Sequence, residues 1–281
     1  MRGAAFSDLH LGFTRFAATT DGRNARQVDV EQAWKHGVLR AIEENVEVVT
    51  LAGDIFHSPR VSRHADVAFR WGLMKLDARG IPVVVVPGNH DVPRTREALA
   101  PLTAVADGEP GVYLADAPNR FLLNLPTAKV AVTCLPHQAL SEPTTWAVEP
   151  YPEADVNVLV IHAPLTSAAD RLPKFYAAGG LDVCALAERF DVVHAGDYHS
   201  FTRRHPTRLA YYSGATDRTA PDVWAESDEP KGFAVWDTAT GELRHVPLDT
   251  RPHRRMVRSA ADGERLTSLL SDSARQRLVS V

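Results

Sequence analysis

The stretch Val83-Val84-Val85-Val86-Pro87-Gly88-Asn89-His90-Asp91 decides the fold. Four consecutive β-branched residues predict a strand buried on both faces. The Pro-Gly pair stops that strand abruptly, and the turn then presents an amide, an imidazole and a carboxylate together. Core packing does not call for such side chains just past a buried strand. Chemistry does, because open α/β folds place substrate-facing residues at the carboxyl ends of their strands.

The same grammar recurs along the chain. Gly3–Phe6 ends at Ser7-Asp8-Leu9-His10, and Val46–Leu51 ends at Gly53-Asp54-Ile55-Phe56-His57. Val156–Ile161 runs into His162, and Asp191–Ala195 into Gly196-Asp197-Tyr198-His199. Helices are expected at Asp29–Glu44 (Ala33, Trp34, Val38, Ala41 and Ile42 inward), at Arg63–Ala78 (Val67, Trp71, Met74 and Leu76 inward), near Thr95–Val105 and at Asp182–Arg189. Strand, helix, strand, helix, strand predicts a parallel sheet built by right-handed crossovers. Val112–Ala115, Phe121–Leu125 and Lys129–Leu135 leave little room for crossovers and read as antiparallel or edge strands. Arg208–Ser213, Gly232–Asp237 and Glu242–Leu248 read as a closing meander.

Composition bounds what this can be. The 281 residues are long enough for a sizeable core, and 44% hydrophobic with 23% charged is ordinary for a soluble globular chain. A net charge of −4 excludes a protein coated in basic residues but leaves room for a local basic path. Cys134 and Cys184, both flanked by apolar residues, read as buried, reduced thiols, and a disulfide scaffold is not expected. A first strand starting almost at Met1 leaves no room for a cleavable leader, and no apolar run approaches the ~20 residues that cross a bilayer. A cytoplasmic location with no membrane partner is the expectation.

Collected, the strand tips offer Asp8, His10, Asp54, Asn89, His90, Asp91, His162, Asp197 and His199. These are oxygen and nitrogen donors without a cysteine, which favours Mn²⁺, Mg²⁺, Fe²⁺ or Zn²⁺. They exceed the needs of one ion, so a pair of cations sharing a carboxylate and clamping a phosphate is the economical arrangement.

This set resembles the calcineurin-like metallophosphoesterases. The matching blocks are Asp8-Leu9-His10, Gly53-Asp54, Gly88-Asn89-His90-Asp91, His162 and Gly196-Asp197-Tyr198-His199. Three further segments look like the SbcD-like DNA-repair exonuclease branch: His57 in Gly53–His57, Tyr212-Ser213-Gly214-Ala215-Thr216-Asp217-Arg218-Thr219, and Glu229-Pro230-Lys231-Gly232-Phe233. The resemblance implies an α/β fold of two packed mixed β-sheets flanked by helices, an αββα sandwich. It implies that residues 1–250 form a nuclease domain, and residues 251–281 read as a short basic, helical extension too small for a DNA-capping domain. It also implies two divalent cations, most readily Mn²⁺. Asp8, His10 and His199 would hold the first, Asp54 would bridge, and Asn89, His162 and Asp197 would hold the second. His90 would serve at the scissile phosphate, with Asp91 fixing its orientation and His57 near substrate.

Position 197 departs from the family, which usually has His there; a carboxylate adds charge that favours Mn²⁺ or Mg²⁺. Of the remaining histidines, His137 is a candidate for the cleft wall, His194 reads as a packed core residue, and His36 and His64 as solvated helix residues. Arg60, Arg63, Arg94, Arg96, Arg171, Lys174, Arg203 and Arg204 follow metal-bearing tips and mark a candidate DNA path. The partners implied are DNA, an SbcC-like ATPase subunit and a second copy of the chain. The rival readings are a small-molecule phosphodiesterase or phosphatase of the same superfamily, such as one acting on cyclic nucleotides, and a non-catalytic scaffold.

Overall fold

The computed structural model describes residues 1–92, 101–106, 108–141, 148–166, 181–220 and 226–253. The first sheet is formed by β1 (Arg2–Phe6), β4 (Val48–Ala52), β5 (Val83–Val86), β6 (Val112–Leu114), β15 (Gly232–Asp237) and β16 (Glu242–Pro247), in the order β16-β15-β1-β4-β5-β6. β1, β4, β5 and β6 run parallel, and β15 and β16 add an antiparallel hairpin at the β1 edge. The second sheet holds β7 (Asn119–Asn124), β8 (Lys129–Leu135), β9 (Val156–His162), β12 (Val192–Gly196), β13 (Thr202–Arg203) and β14 (Leu209–Tyr212), in the order β13-β14-β12-β9-β8-β7. Two short ladders complete the set: β2 (Thr19–Thr20) with β3 (Arg23–Asn24), and β10 (Leu165–Thr166) with β11 (Leu181–Asp182).

The two sheets pack face to face, and the strand period of two explains how each side chain is used. In β5, Val84 and Val86 face the second sheet, whereas Val83 and Val85 face the helices outside. β9 does the same from the other side, with Val156, Val158 and Val160 inward and Leu159 and Ile161 outward. Helices α1 (Ala25–Glu43) and α2 (Arg63–Asp77) cover the first sheet, α3 (Pro101–Ala106) precedes its β6 edge, and α4 (Val183–Arg189) covers the second sheet. This is the expected αββα sandwich.

Four local expectations need correction. Helix α1 starts at Ala25 rather than Asp29, because the Asn24 side chain caps it by accepting from the backbone N–H groups of Arg26 and Gln27. In α2, Val67 and Met74 are 56% and 65% exposed; the buried stripe is instead Ala65, Ala68, Phe69, Gly72, Leu73 and Leu76. Small residues on that stripe admit Trp34 of α1, whose Nε1 donates to the Ala68 carbonyl at 3.1 Å. The closing meander does not form, since β14 lies in the second sheet, parallel to β12, whereas β15 and β16 belong to the first. Cys134 is buried but Cys184 is exposed, on a short helix whose inner face is taken by Val183, Leu186 and Ala187. Residues 95–100 of the expected third helix and 254–281 of the C-terminal extension lie outside the described residues. Among the described residues, no helix is long and apolar enough to cross a membrane.

His194 sits fully buried in the seam between the sheets, as read from the sequence. Its Nδ1 lies 2.8 Å from Thr50 Oγ1 in the opposing sheet and its Nε2 2.9 Å from Ser213 Oγ, so a neutral ring with one donor and one acceptor is satisfied. Burial, with the nearby His162 charge adding to it, pushes this imidazole down from 6.5 to about 3. Between those values the unfolded chain binds a proton that the folded chain refuses. Stability therefore falls as pH falls through that window, by at most roughly 1.4 kcal/mol per pH unit. Urea denaturation from pH 7 to pH 4 should show this slope, and His194→Gln should make it shallower.

Candidate metal centre

The chemistry-bearing tips gather at one end of the sandwich, where the carboxyl ends of β1, β4, β5, β9 and β12 meet across the seam. Close approach is possible because glycines stand at the contacts. A Cβ on Gly53 would lie 2.1 Å from His162 Nδ1, and one on Gly196 would lie 1.9 Å from the Ala52 carbonyl oxygen. Any larger residue would separate the sheets at the point where the site forms. Left-handed backbone then aims the side chains, with φ of +52° at Asp8, +46° at His10, +53° at Asp54 and +90° at Asp197. Such conformations cost ~1–3 kcal/mol each and persist only where the surroundings enforce them.

The seven expected ligands are all brought together. His10 Nε2 lies 3.3 Å from His199 Nε2 and 3.7 Å from Asp54 Oδ2, and His199 Nε2 lies 3.8 Å from Asp8 Oδ1. On the other side, His162 Nε2 lies 3.1 Å from Asn89 Oδ1, 3.6 Å from Asp54 Oδ1 and 3.9 Å from Asp197 Oδ1. The two oxygens of Asp54 thus face two different histidines. His162 donates its Nδ1–H to the Ala52 carbonyl at 2.8 Å, which leaves the Nε2 lone pair for the cluster.

These residues suit divalent cations. Asp8, His10 and His199 offer donor atoms that lie within 4.8 Å of one another, and so do Asp8, Asp54 and His162. Two nitrogens bound to one ion at ~2.0–2.1 Å stand roughly 3.0–3.4 Å apart, the separation seen for His10 and His199. Asp8 Oδ2 is buried and has no hydrogen-bond partner among the described residues. Electrostatics point the same way. Burial pushes the Asp8 carboxyl up, against the pull of His199 and His162. Burial alone would lower His162, but the carboxylates of Asp54, Asp8 and Asp197 override it and push that imidazole up to about 9. Buried acids this close together call for positive charge among them.

His90 and His57 stand on the wall of the same cleft, a cavity of about 430 Å³ that is also lined by Phe13, Thr14, Arg15 and Thr219. His90 donates its Nδ1–H to the His57 carbonyl at 2.8 Å, and the two rings stack with centroids 5.4 Å apart. This corrects the expected part of Asp91. Its carboxylate does not meet His90 Nδ1 but accepts from the backbone N–H groups of Gly88, Ile55 and Phe56 at 2.9, 3.1 and 2.8 Å. Asp91 therefore ties the Gly88 turn to the Asp54 loop and sets His90 only through the backbone. His137 approaches from the second-sheet side, its ring 6.0 Å from that of His162.

Sequence reading missed Glu226, whose Oε1 lies 3.0 Å from His199 Nδ1. Its signal was weak, a single carboxylate lying between the Tyr212–Thr219 and Glu229–Phe233 segments, five residues before Lys231. It also missed that Arg218 and Asp217 of the Tyr212–Thr219 segment are structural. Asp217 accepts from Arg26 at 2.9 Å, and Arg218 reaches the backbone carbonyls of Glu226 and Glu229. Of the expected basic path, Arg60, Arg63 and Arg203 are exposed, and Arg204 is half-buried and donates to the Leu165 carbonyl. Arg94, Arg96, Arg171 and Lys174 lie outside the described residues.

Comparison with known proteins gives the chain relatives and a family. The DNA double-strand break repair protein Mre11 of Thermoplasma acidophilum is 25% identical over 301 residues, covering 98% of this chain and 75% of that protein. The Mre11 protein of Archaeoglobus fulgidus is 25% identical over 245 residues, covering 75% of this chain and 53% of that protein. The chain thus spans three quarters of one relative and about half of the other. The solved structure of TT1561 of Thermus thermophilus shares the fold, with a TM-score of 0.53 over 88% of this chain and 98% of its own at 12% identity. The family model described as calcineurin-like phosphoesterase matches residues 1–201, which carry every one of the seven clustered donors, and the chain belongs to that family.

Proposed function

We propose that this chain hydrolyses DNA phosphodiester bonds with two divalent cations. The observation that carries the reading is the convergence of Asp8, His10, Asp54, Asn89, His162, Asp197 and His199 at the floor of a cleft whose wall holds His90. Asp8, His10 and His199 would hold the first cation, and Asn89, His162 and Asp197 the second. Asp54 would bridge, one oxygen turned to each side. When bound, such a pair neutralises phosphate charge and makes a water acidic enough to attack phosphorus at neutral pH.

The chain's own groups supply the rest. With Nδ1–H committed to the His57 carbonyl, a proton taken up by His90 goes to Nε2, from where it can be given to the leaving oxygen. His57 packs beside it, the two rings stacked in the wall of the cleft. A carboxylate at position 197 adds a hard donor, which favours Mn²⁺ over softer ions.

DNA is favoured as substrate by the likeness to two archaeal double-strand break repair proteins. Arg15 at the cleft and the exposed Arg60 and Arg63 would meet the phosphate backbone. We further propose that residues 1–250 form the nuclease domain, and that an SbcC-like ATPase and a second copy of the chain are its protein partners. The free thiols of Cys134 and Cys184 suit the cytoplasm.

End-labelled single- and double-stranded DNA, a 3′,5′-cyclic nucleotide and a chromogenic diester should be digested in parallel with Mn²⁺, Mg²⁺, Fe²⁺ and Zn²⁺. Cleavage of DNA is expected, with Mn²⁺ most effective. Intact DNA under every metal, with turnover of the cyclic nucleotide or the diester, would overturn the nuclease reading. His90→Ala should lower turnover by about 10²–10⁴-fold while Mn²⁺ stoichiometry stays at the wild-type value. Calorimetric titration of Asp197→Ala should lose one of the wild type's bound Mn²⁺ ions; an unchanged stoichiometry would remove Asp197 from the ligand set.

A further inference from the structure

His199 is gripped from two directions by a buried ion pair. Glu226 Oε1 lies 3.0 Å from His199 Nδ1 and 3.1 Å from Lys231 Nζ, and Lys231 Nζ also donates to the His199 backbone carbonyl at 2.8 Å. Glu226 and Lys231 are 5% and 1% exposed. Further bonds fix the pair. Glu226 Oε2 accepts from the Ala220 N–H at 3.2 Å, Arg218 Nε donates to the Glu226 carbonyl at 3.1 Å, and Lys231 Nζ meets Glu229 Oε2 at 3.2 Å. Burying an ion pair in this way is a poor route to stability, because desolvation takes back most of the Coulombic attraction. The arrangement makes more sense as a clamp on one imidazole.

We propose that Glu226, anchored by Lys231, is the positioning residue of the first cation site, holding His199 with Nδ1–H outward and Nε2 turned to Asp8 and His10. A carboxylate can only accept, so it selects the tautomer whose Nε2 is unprotonated and restrains the ring from flipping. His162, on the second cation's side, has the neutral Ala52 carbonyl as the partner of its Nδ1 among the described residues. The two sites therefore differ: negative charge behind His199 makes it the stronger donor, and the effect belongs to one cation alone. The inference rests on the two-cation reading and adds to it a residue that acts on only one of the two sites.

The test is Mn²⁺ binding by calorimetry and by electron paramagnetic resonance, which need no substrate. Wild type should bind two ions. Glu226→Ala should weaken one site by roughly 10- to 100-fold and leave the other within about twofold. Glu226→Gln, which keeps the shape without the charge, should weaken the same site by a smaller factor; it decides the matter if Glu226→Ala does not fold. A merely structural role would weaken both sites together or neither, and either result would overturn the inference. Wild type that binds no Mn²⁺ would overturn the two-cation reading itself, whereas two full-affinity sites in the glutamine variant would overturn this inference alone.

Discussion

The hydrogen bond from His162 Nδ1 to the Ala52 carbonyl, 2.8 Å across the seam between the sheets, is the contact on which the site depends. It joins the tip of β9 in one sheet to the tip of β4 in the other, and it can form only where nothing larger than glycine stands at positions 53 and 196. It does two jobs. It closes the end of the sandwich, and it turns a buried imidazole so that its second nitrogen faces three carboxylates. The apolar seam below, with Val84, Val86, Val158 and Val160, holds the two tips at that distance by packing. Fold and site are linked at this point, because a core slightly thicker at this end would pull His162 out of reach of Asp54.

Much of this was legible in the chain itself. A run of four valines followed by Pro-Gly reads as a doubly buried strand with a polar tip, and each of the other donor-bearing tips likewise follows an apolar strand. The donors were readable because metal chemistry needs particular atoms, and parallel strands bring their carboxyl ends to one edge. The faces of α2 were harder. Val67, Trp71 and Met74 have helical spacing as good as that of Ala65, Phe69 and Leu73, and only the intrusion of Trp34 onto the small-residue side chooses between them. The placement of β14 was likewise settled by its parallel pairing with β12, a choice of partner that local pattern does not encode.

The outer layer of the site was least legible, for a related reason. A side chain that can donate to a hard or borderline cation is one of a few types, here His, Asp and Asn, so a candidate donor announces itself by identity. The residue behind a ligand needs only to accept or donate a hydrogen bond, and a backbone carbonyl serves as well as a side chain. Ala52 behind His162 and the His57 carbonyl behind His90 leave no trace in the sequence at all. Asp91 was expected to orient His90 directly, but its three acceptor bonds go to backbone groups that no side-chain pattern reveals.

The left-handed backbone at Asp8, Asp54 and Asp197 has a bearing on how substitutions at these places should be interpreted. Asn and Gly enter that region at little cost, whereas Val, Ile and Thr resist it strongly. An asparagine exchange there changes charge while sparing the main chain, so its phenotype speaks to electrostatics. A valine exchange deforms the loop before any question of coordination arises, and its phenotype speaks to shape. The tolerance of these three positions is thus narrowed twice over, once by ionic chemistry and once by stereochemistry of the peptide.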